Sequence, residues 1–203
     1  MRAELLVLAV GPGGGAAVDL RTGALVRVHW IDGLHEPLSP FDLVEADLRR
    51  DPDAVPFPND TFLAAGARKT GRLSGRRAER LLKPLVHPDN RPLLGTPTAE
   101  VAYWTLRHDQ PSIALVAPTA GPVVERDNRL RLRCRFRWRR LDHDLPLDDP
   151  FVDERLSHPT AMHLSGGTLA RALGWRPQRL VVALTPPRHG QCRKVVAGLL
   201  PKP

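Results

Sequence analysis

The sequence predicts a β-rich α+β protein: two tandem, diverged copies of a small β-meander unit with short helices, packed as a pseudo-symmetric pair. Three observations predict it. Residues 8–30, LAVGPGGGAAVDLRTGALVRVHW, are similar to residues 114–138, ALVAPTAGPVVERDNRLRLRCRFRW. Each has an apolar run, a Gly/Pro break, a short apolar run ending in an acid, a turn, and an alternating strand ending in Trp. The likeness then continues past Trp30 and Trp138. A His follows at the same five-residue spacing (His35, His143), then an acid (Glu36, Asp144), a Pro-Leu pair and a Pro-Phe pair. Further on, residues 61–66, TFLAAG, match residues 168–174, TLARALG, more weakly. The copies span roughly 1–96 and 97–203. Each alone is small for a stable core, which favours packing of one against the other.

The elements follow in chain order. Strands are expected at 4–10, 16–20 and 24–30, the last two joined by the Arg21-Thr22-Gly23 turn. The start superficially resembles a signal peptide, but the apolar run 5–10 is short and has a counterpart in mid-chain, 113–116. It reads better as the first strand. GPGGG, residues 11–15, lacks the Lys-Ser/Thr of a phosphate loop and reads as a hairpin connection. Residues 31–60 are rich in Pro and acids and are expected to be loop, as are 139–160. A helix is expected at 75–83, stopped by Pro84, with a loop before it. Residues 98–108 read as a strand. The second copy repeats the meander at 112–117, 122–126 and 129–138, with Asp127-Asn128 supplying the turn. A short helix at 168–173 ends at Gly174. Two apolar runs flanking residues 187–191 form a final hairpin.

Alternation sorts the faces of these strands. Ala24, Val26, Val28 and Trp30 should face a core, as should Leu130, Leu132, Cys134, Phe136 and Trp138. Cys134 is then inert core. Cys192 begins a strand and His189 lies in a turn, so the pair is no nucleophile–base couple. No Cys-x-x-Cys pair implies zinc or a disulfide framework, and a cytoplasmic setting fits. No apolar run is long enough to span a bilayer, so no membrane partner is expected.

The formal net charge is +8 over 203 residues, with 26 Arg against 4 Lys. A GC-rich genome writes such a profile everywhere, so only the placement of charge carries an argument. The run RLRLRCRFRWRR places Arg129, Arg131, Arg133, Arg135 and Arg137 on one face and adds Arg139 and Arg140. Alternate side chains stand ~6.6 Å apart, a line of planar bidentate donors suited to phosphates. The equivalent strand of copy one points Leu25, Arg27 and His29 outward, so base composition does not explain the run. The expected function is non-enzymatic binding of an anionic partner, nucleic acid above all. With Phe136 and Trp138 on the core face, phosphate contacts to duplex or folded RNA fit better than a base-stacking platform. Arg72, Arg76, Arg77 and Arg80 form a secondary basic patch, read in the first place as a solvated helix face.

Two other readings compete. A protein–protein adaptor would dock an acidic protein, or a second copy as a homo-oligomer, on the arginine face. An enzyme would use His35 or His143 with carboxylates in a cleft between the copies. No cofactor or metal is expected, because no metal-ligand spacing is present. The acids at 142, 144, 148, 149, 153 and 154 supply the test. Arginines standing free of them favour external binding, and arginines paired with them count against it.

Overall fold

The computed structural model describes residues 1–33, 36–57, 59–88, 90–107, 109–157 and 163–203. The chain is β-rich, with several sheets and short helices. Its first half is a closed five-stranded barrel built from β1 (Arg2–Gly11), β2 (Gly14–Asp19), β3 (Ala24–Trp30), β4 (Asp42–Arg50) and β5 (Thr61–Arg72). The order is β1-β2-β3-β5-β4, with β4 returning beside β1 as in a Greek key and β5 closing the ring. All neighbours are antiparallel except β3 and β5. Alternation fills the barrel: Leu5, Val7, Val26, Val28, Trp30, Val44, Ala46 and Leu48 share one core. The opposite face of β1 and β2, with Leu6, Leu8, Ala16 and Val18, is buried as well, against the second half. The continuous apolar run at the start of the chain is therefore a strand buried on both faces.

The second half packs two four-stranded sheets. One has the order β10 (Leu141–Pro146), β9 (Leu132–Trp138), β8 (Ala120–Arg126), β11 (His163–Ser165). The other has the order β6 (Glu100–Ala102), β13 (Gln191–Leu200), β12 (Arg179–Leu184), β7 (Ile113–Val116). Between them lie Cys134, Phe136, Trp138, Leu180, Val182, Leu184 and Val196. Helices α2 (Pro150–Arg155) and α3 (Gly166–Leu173) close this core with Val152, Leu169 and Leu173. Ile113, Leu115, Val181 and Ala183 leave the other face of β7 and β12 and meet the barrel. The β7–β12 sheet is thus the middle of three layers, which is why β12 is buried at every position. Gly198 lets β13 approach β1: a Cβ there would lie 3.0 Å from that of Ala9. Helix α1 (Gly75–Leu82) follows the barrel and is tied to β12 by the Glu79–Arg179 ion pair. Among the described residues no helix is long and apolar enough to cross a membrane.

Several expectations are corrected. Residues 31–60 hold a strand, β4, with Asp42, Val44, Ala46 and Leu48 inward and Leu43, Glu45, Asp47 and Arg49 more exposed. Residues 139–160 hold β10 and α2. The segment before α1 is β5, not loop. Thr61 to Gly66 is therefore strand, whereas its proposed counterpart is the helix α3, ended by Gly174 at φ +84°. The second meander is broken, because β7 pairs with β12 and not with β8. Pro118 and Pro122 flank the start of β8 and have no N–H to give a β7–β8 ladder. The expected strand at 98–108 is shorter: Glu100–Ala102 form β6, and Tyr103–Thr105 a 3-10 turn. Leu130 is 67% exposed: it sits in the turn at φ +61°, and β9 begins only at Leu132. The final hairpin and α3 lie where the sequence puts them.

Candidate functional site

The β9 arginines stand on the outer face of their sheet, each beside an acid. Direct pairing in the antiparallel register sets Asp142 opposite Arg137 and Asp144 opposite Arg135. Arg137 grips Asp142 with two hydrogen bonds, Nε–Oδ1 at 2.9 Å and Nη2–Oδ2 at 3.1 Å. That grip raises the Arg137 pKa and lowers the Asp142 pKa. Arg133 reaches diagonally to Asp144 at 2.9 Å, and Arg135 to Glu125 of β8 at 3.5 Å. The face therefore carries alternating charge, with three arginines against three carboxylates. Solvent-exposed pairs of this kind add little to stability, but together they cancel the field that would attract a polyanion.

The remaining members of the run leave this line. Arg129 and Arg131 belong to the turn, where the Asp127 carboxylate accepts both of their backbone N–H groups at 2.8 and 2.9 Å. These hydrogen bonds, that of Arg131 first, hold the Asp127 pKa down. Arg131 also pairs with Asp127 at 3.5 Å. Arg139 and Arg140 form the β9–β10 turn. Arg139 donates to the Arg91 carbonyl at 3.1 Å and lies 5.4 Å over the Trp138 ring. Arg129 and Arg140 are exposed and have no ion-pair partner among the described residues.

The secondary patch is balanced differently. On the barrel, Arg2 and Arg68 share Glu45 at 2.6 and 3.1 Å. Lys69 and Arg72 share Asp42 at 2.8 and 3.6 Å, and that carboxylate is fully buried. Two cations thus stand on each acid. Three residues after Arg72, α1 buries Ala78 and Leu82 and turns Arg76, Arg77 and Arg80 to solvent. None of those three has an acid partner among the described residues, since Glu79, the one acid of α1, is taken by Arg179. From Arg68 to Arg80 and including Arg2, seven cations face the paired carboxylates Glu45 and Asp42, with Asp47 opposite Arg2 and Glu4 opposite Glu45 as further exposed acids, which still leaves cations in excess among the described residues.

The His-acid loops part company. His35 lies outside the described residues. His143 is on β10, half-buried, stacked on Phe136 with ring centroids 5.1 Å apart and planes at 16°. Its Nε2 is buried without a partner among the described residues, and burial lowers its pKa. Among the described residues no group of three or more His, Cys, Asp or Glu side chains could hold a metal ion. Cys192 is buried on β13, its thiol pKa raised by burial, while His189 sits in the hairpin turn. Burial pushes the Cys134 thiol up to about 12.

Two cations were missed in the sequence. Lys194 is 2% exposed, in line with Cys192 and Val196, and its ammonium donates to the Thr96 carbonyl at 2.6 Å. Burial lowers its pKa to about 8. Its place on the apolar phase of the strand CRKVV was the available signal. Arg27 lies where the two halves meet and hydrogen-bonds across the junction to the Leu184 carbonyl at 2.6 Å. Alternation put it on the outward face of β3, but nothing local says that the second half covers that face.

Comparison with known proteins finds no matching family model, no similar curated protein and no similar solved structure.

Proposed function

We propose that the chain is a non-enzymatic binding protein for an anionic partner, nucleic acid phosphates in the first place, and that the β5–α1 surface carries the binding. The observation behind this is the unbalanced charge from Arg68 to Arg80: Arg76, Arg77 and Arg80 stand exposed without an acid partner among the described residues, next to four cations that share Glu45 and Asp42. The β9 arginines, Arg133, Arg135 and Arg137, spend their charge on Asp144, Glu125 and Asp142. They enter the proposal as a secondary surface, reached by exchanging internal for external partners. Five-stranded Greek-key barrels also serve as scaffolds for oligonucleotide binding, a likeness of architecture that assigns no residue. The two free, buried cysteines fit the cytoplasmic setting proposed with this function.

The proposal includes the origin of the fold in two diverged copies of one strand plan. What supports it is the pairing order. β12 is antiparallel to β7 as β4 is to β1, and β13 follows β12 as β5 follows β4. A parallel bridge, Leu147 to Val196, occupies the place of the parallel β3–β5 seam. In this reading the second copy is a barrel opened between β7 and β8, with a β10 hairpin and two helices added.

A salt titration tests the function. Binding of the wild-type chain to a duplex DNA and to a folded RNA is measured by fluorescence anisotropy between 50 and about 200 mM salt. The proposal expects affinity that falls steeply with salt. Absence of binding to either at the lowest salt overturns it.

A further inference from the structure

A cleft of about 250 Å³ runs between the two halves, with β1, β2 and β3 of the barrel on one side and residues 183–186 on the other. Arg27 and His29 reach it from the same face of β3, ~6.6 Å apart along the strand. The Arg27 guanidinium lies over the Phe57 ring at 5.3 Å. Its Nη2 donates to the Leu184 carbonyl at 2.6 Å and to the Ser112 hydroxyl at 3.3 Å. Its Nε is buried with no partner. No carboxylate lies within ion-pair distance of it among the described residues. Asp60, at the same junction, gives one oxygen to the Ser112 N–H at 2.8 Å. Carbonyls, a ring face and the field of the neighbouring Asp60 carboxylate offset part of the cost of taking a guanidinium out of water, and its Nε is left to bond a ligand.

The rest of the lining suits an anion. His29 is oriented by Asp51, 3.3 Å from its Nδ1, which leaves the other ring nitrogen for a ligand. The Thr185 hydroxyl accepts the Arg193 N–H at 3.1 Å, so its own proton is free to donate. Small residues, Ala9, Gly11, Gly14, Gly15 and Ala16, line the opposite wall and leave it open. Asp148, exposed at the cleft, is the one acid in the lining and favours an oxyanion that still carries a proton.

We propose that this cleft binds a phosphate-sized oxyanion through Arg27, His29 and Thr185, and that its occupancy fastens the two halves together. The β5–α1 surface plays no part in it, so the two proposals stand or fall separately. The shared chemistry is a phosphate group, either free inorganic phosphate or the terminal phosphate of an oligonucleotide.

The test is thermal unfolding of the full chain in sodium phosphate against sodium chloride, at matched ionic strength and pH. The wild type is expected to gain Tm saturably with phosphate, and Arg27→Met to lose that gain. Because Arg27→Met also removes bonds across the junction, His29→Ala is run beside it. That variant gives up the His29–Asp51 contact, so its shift is read against its own Tm in chloride, and it is expected to need about tenfold more phosphate for the same shift, about 1.4 kcal/mol. Dinucleotides with a 5′-phosphate or a 5′-hydroxyl form the second arm. A response to the phosphorylated form at lower concentration than to inorganic phosphate assigns a terminal phosphate, and the reverse order assigns the free ion. No gain over chloride in the wild type, or an unchanged gain in both variants, overturns the proposal.

Discussion

Replacing Lys194 with Met isolates the electrostatic cost of one buried cation. Lys194 is 2% exposed and has no carboxylate within ion-pair distance among the described residues. Burial alone brings its pKa down to about 8 in the folded chain, against ~10.4 in the unfolded one. A base with a depressed folded pKa is pushed toward its neutral form by the fold, but at pH 7, below that folded pKa, Lys194 is still mostly charged and carries the cost of burial. Its stabilising effect is present in full above the unfolded pKa and is lost as pH falls through the folded pKa. Linkage then puts the penalty at about 3 kcal/mol at pH 7 and about 2 kcal/mol at pH 9, a difference on the order of 1 kcal/mol. Methionine keeps much of the volume and removes the charge. The Thr96 carbonyl loses its partner at a cost of about 1 kcal/mol, the same at both pH values. The buried cysteines act in the opposite sense. Their pKa values are raised by burial, to about 12 for Cys134, so their contribution is present below the unfolded thiol pKa and is lost as pH rises through it. That effect is common to both chains and cancels in the comparison. Urea unfolding at pH 7 and pH 9 is the assay. The stability of Lys194→Met relative to wild type should be higher at pH 7 than at pH 9 by on the order of 1 kcal/mol. A relative stability that does not change with pH refutes the reasoning.

Three further outcomes are expected. Gly198→Val puts a branched side chain where a single Cβ already lies 3.0 Å from Ala9 Cβ, and should destabilise by about 1–3 kcal/mol in denaturant unfolding; a change below ~0.5 kcal/mol would show that the layers slide apart freely. Both thiols, buried and with raised pKa, should resist an aromatic disulfide reagent at pH 8 in the native chain and react at once in urea; fast native reaction of either contradicts its burial. Asp142→Asn with Asp144→Asn frees Arg137 and Arg133 and should tighten binding to duplex DNA at low salt, read by anisotropy; unchanged affinity would mean that the β9 face is not reached by the polyanion at all.

Much of this architecture was legible because it is local. Strict alternation marks β3 and β9, and the apolar runs mark β1, β12 and β13. A single Gly at φ +84° ends α3 where the sequence places its stop. β4 was hidden because its inward phase opens with an aspartate. Asp42 is fully buried and tolerated there because Lys69 and Arg72 of the neighbouring strand β5 pair with it and the Ser39 N–H donates to it. β5 was hidden for another reason: it turns Ala64 and Ala67, small residues of weak β signal, to the core. The β7–β12 pairing joins segments more than sixty residues apart, and no local pattern reports it. The candidate site divides in the same way. The acids able to neutralise the β9 arginines were visible as a set, but which arginine meets which acid depends on register. The net charge left on β5 and α1 depends on Glu79 being drawn off by Arg179, a hundred residues away.

The central claim is that unbalanced charge on β5 and α1, more than the number of arginines on β9, binds the nucleic acid. The salt dependence of duplex DNA affinity in two variants tests it most directly. One carries Ala at Arg72, Arg76, Arg77 and Arg80, the other Ala at Arg131, Arg133, Arg135 and Arg137. At ~0.9 for each phosphate that is no longer neutralised, the first should flatten the slope of log affinity against log salt by up to about 3.6. The second should flatten it by less than about 1. A larger loss of slope in the β9 variant would contradict the account.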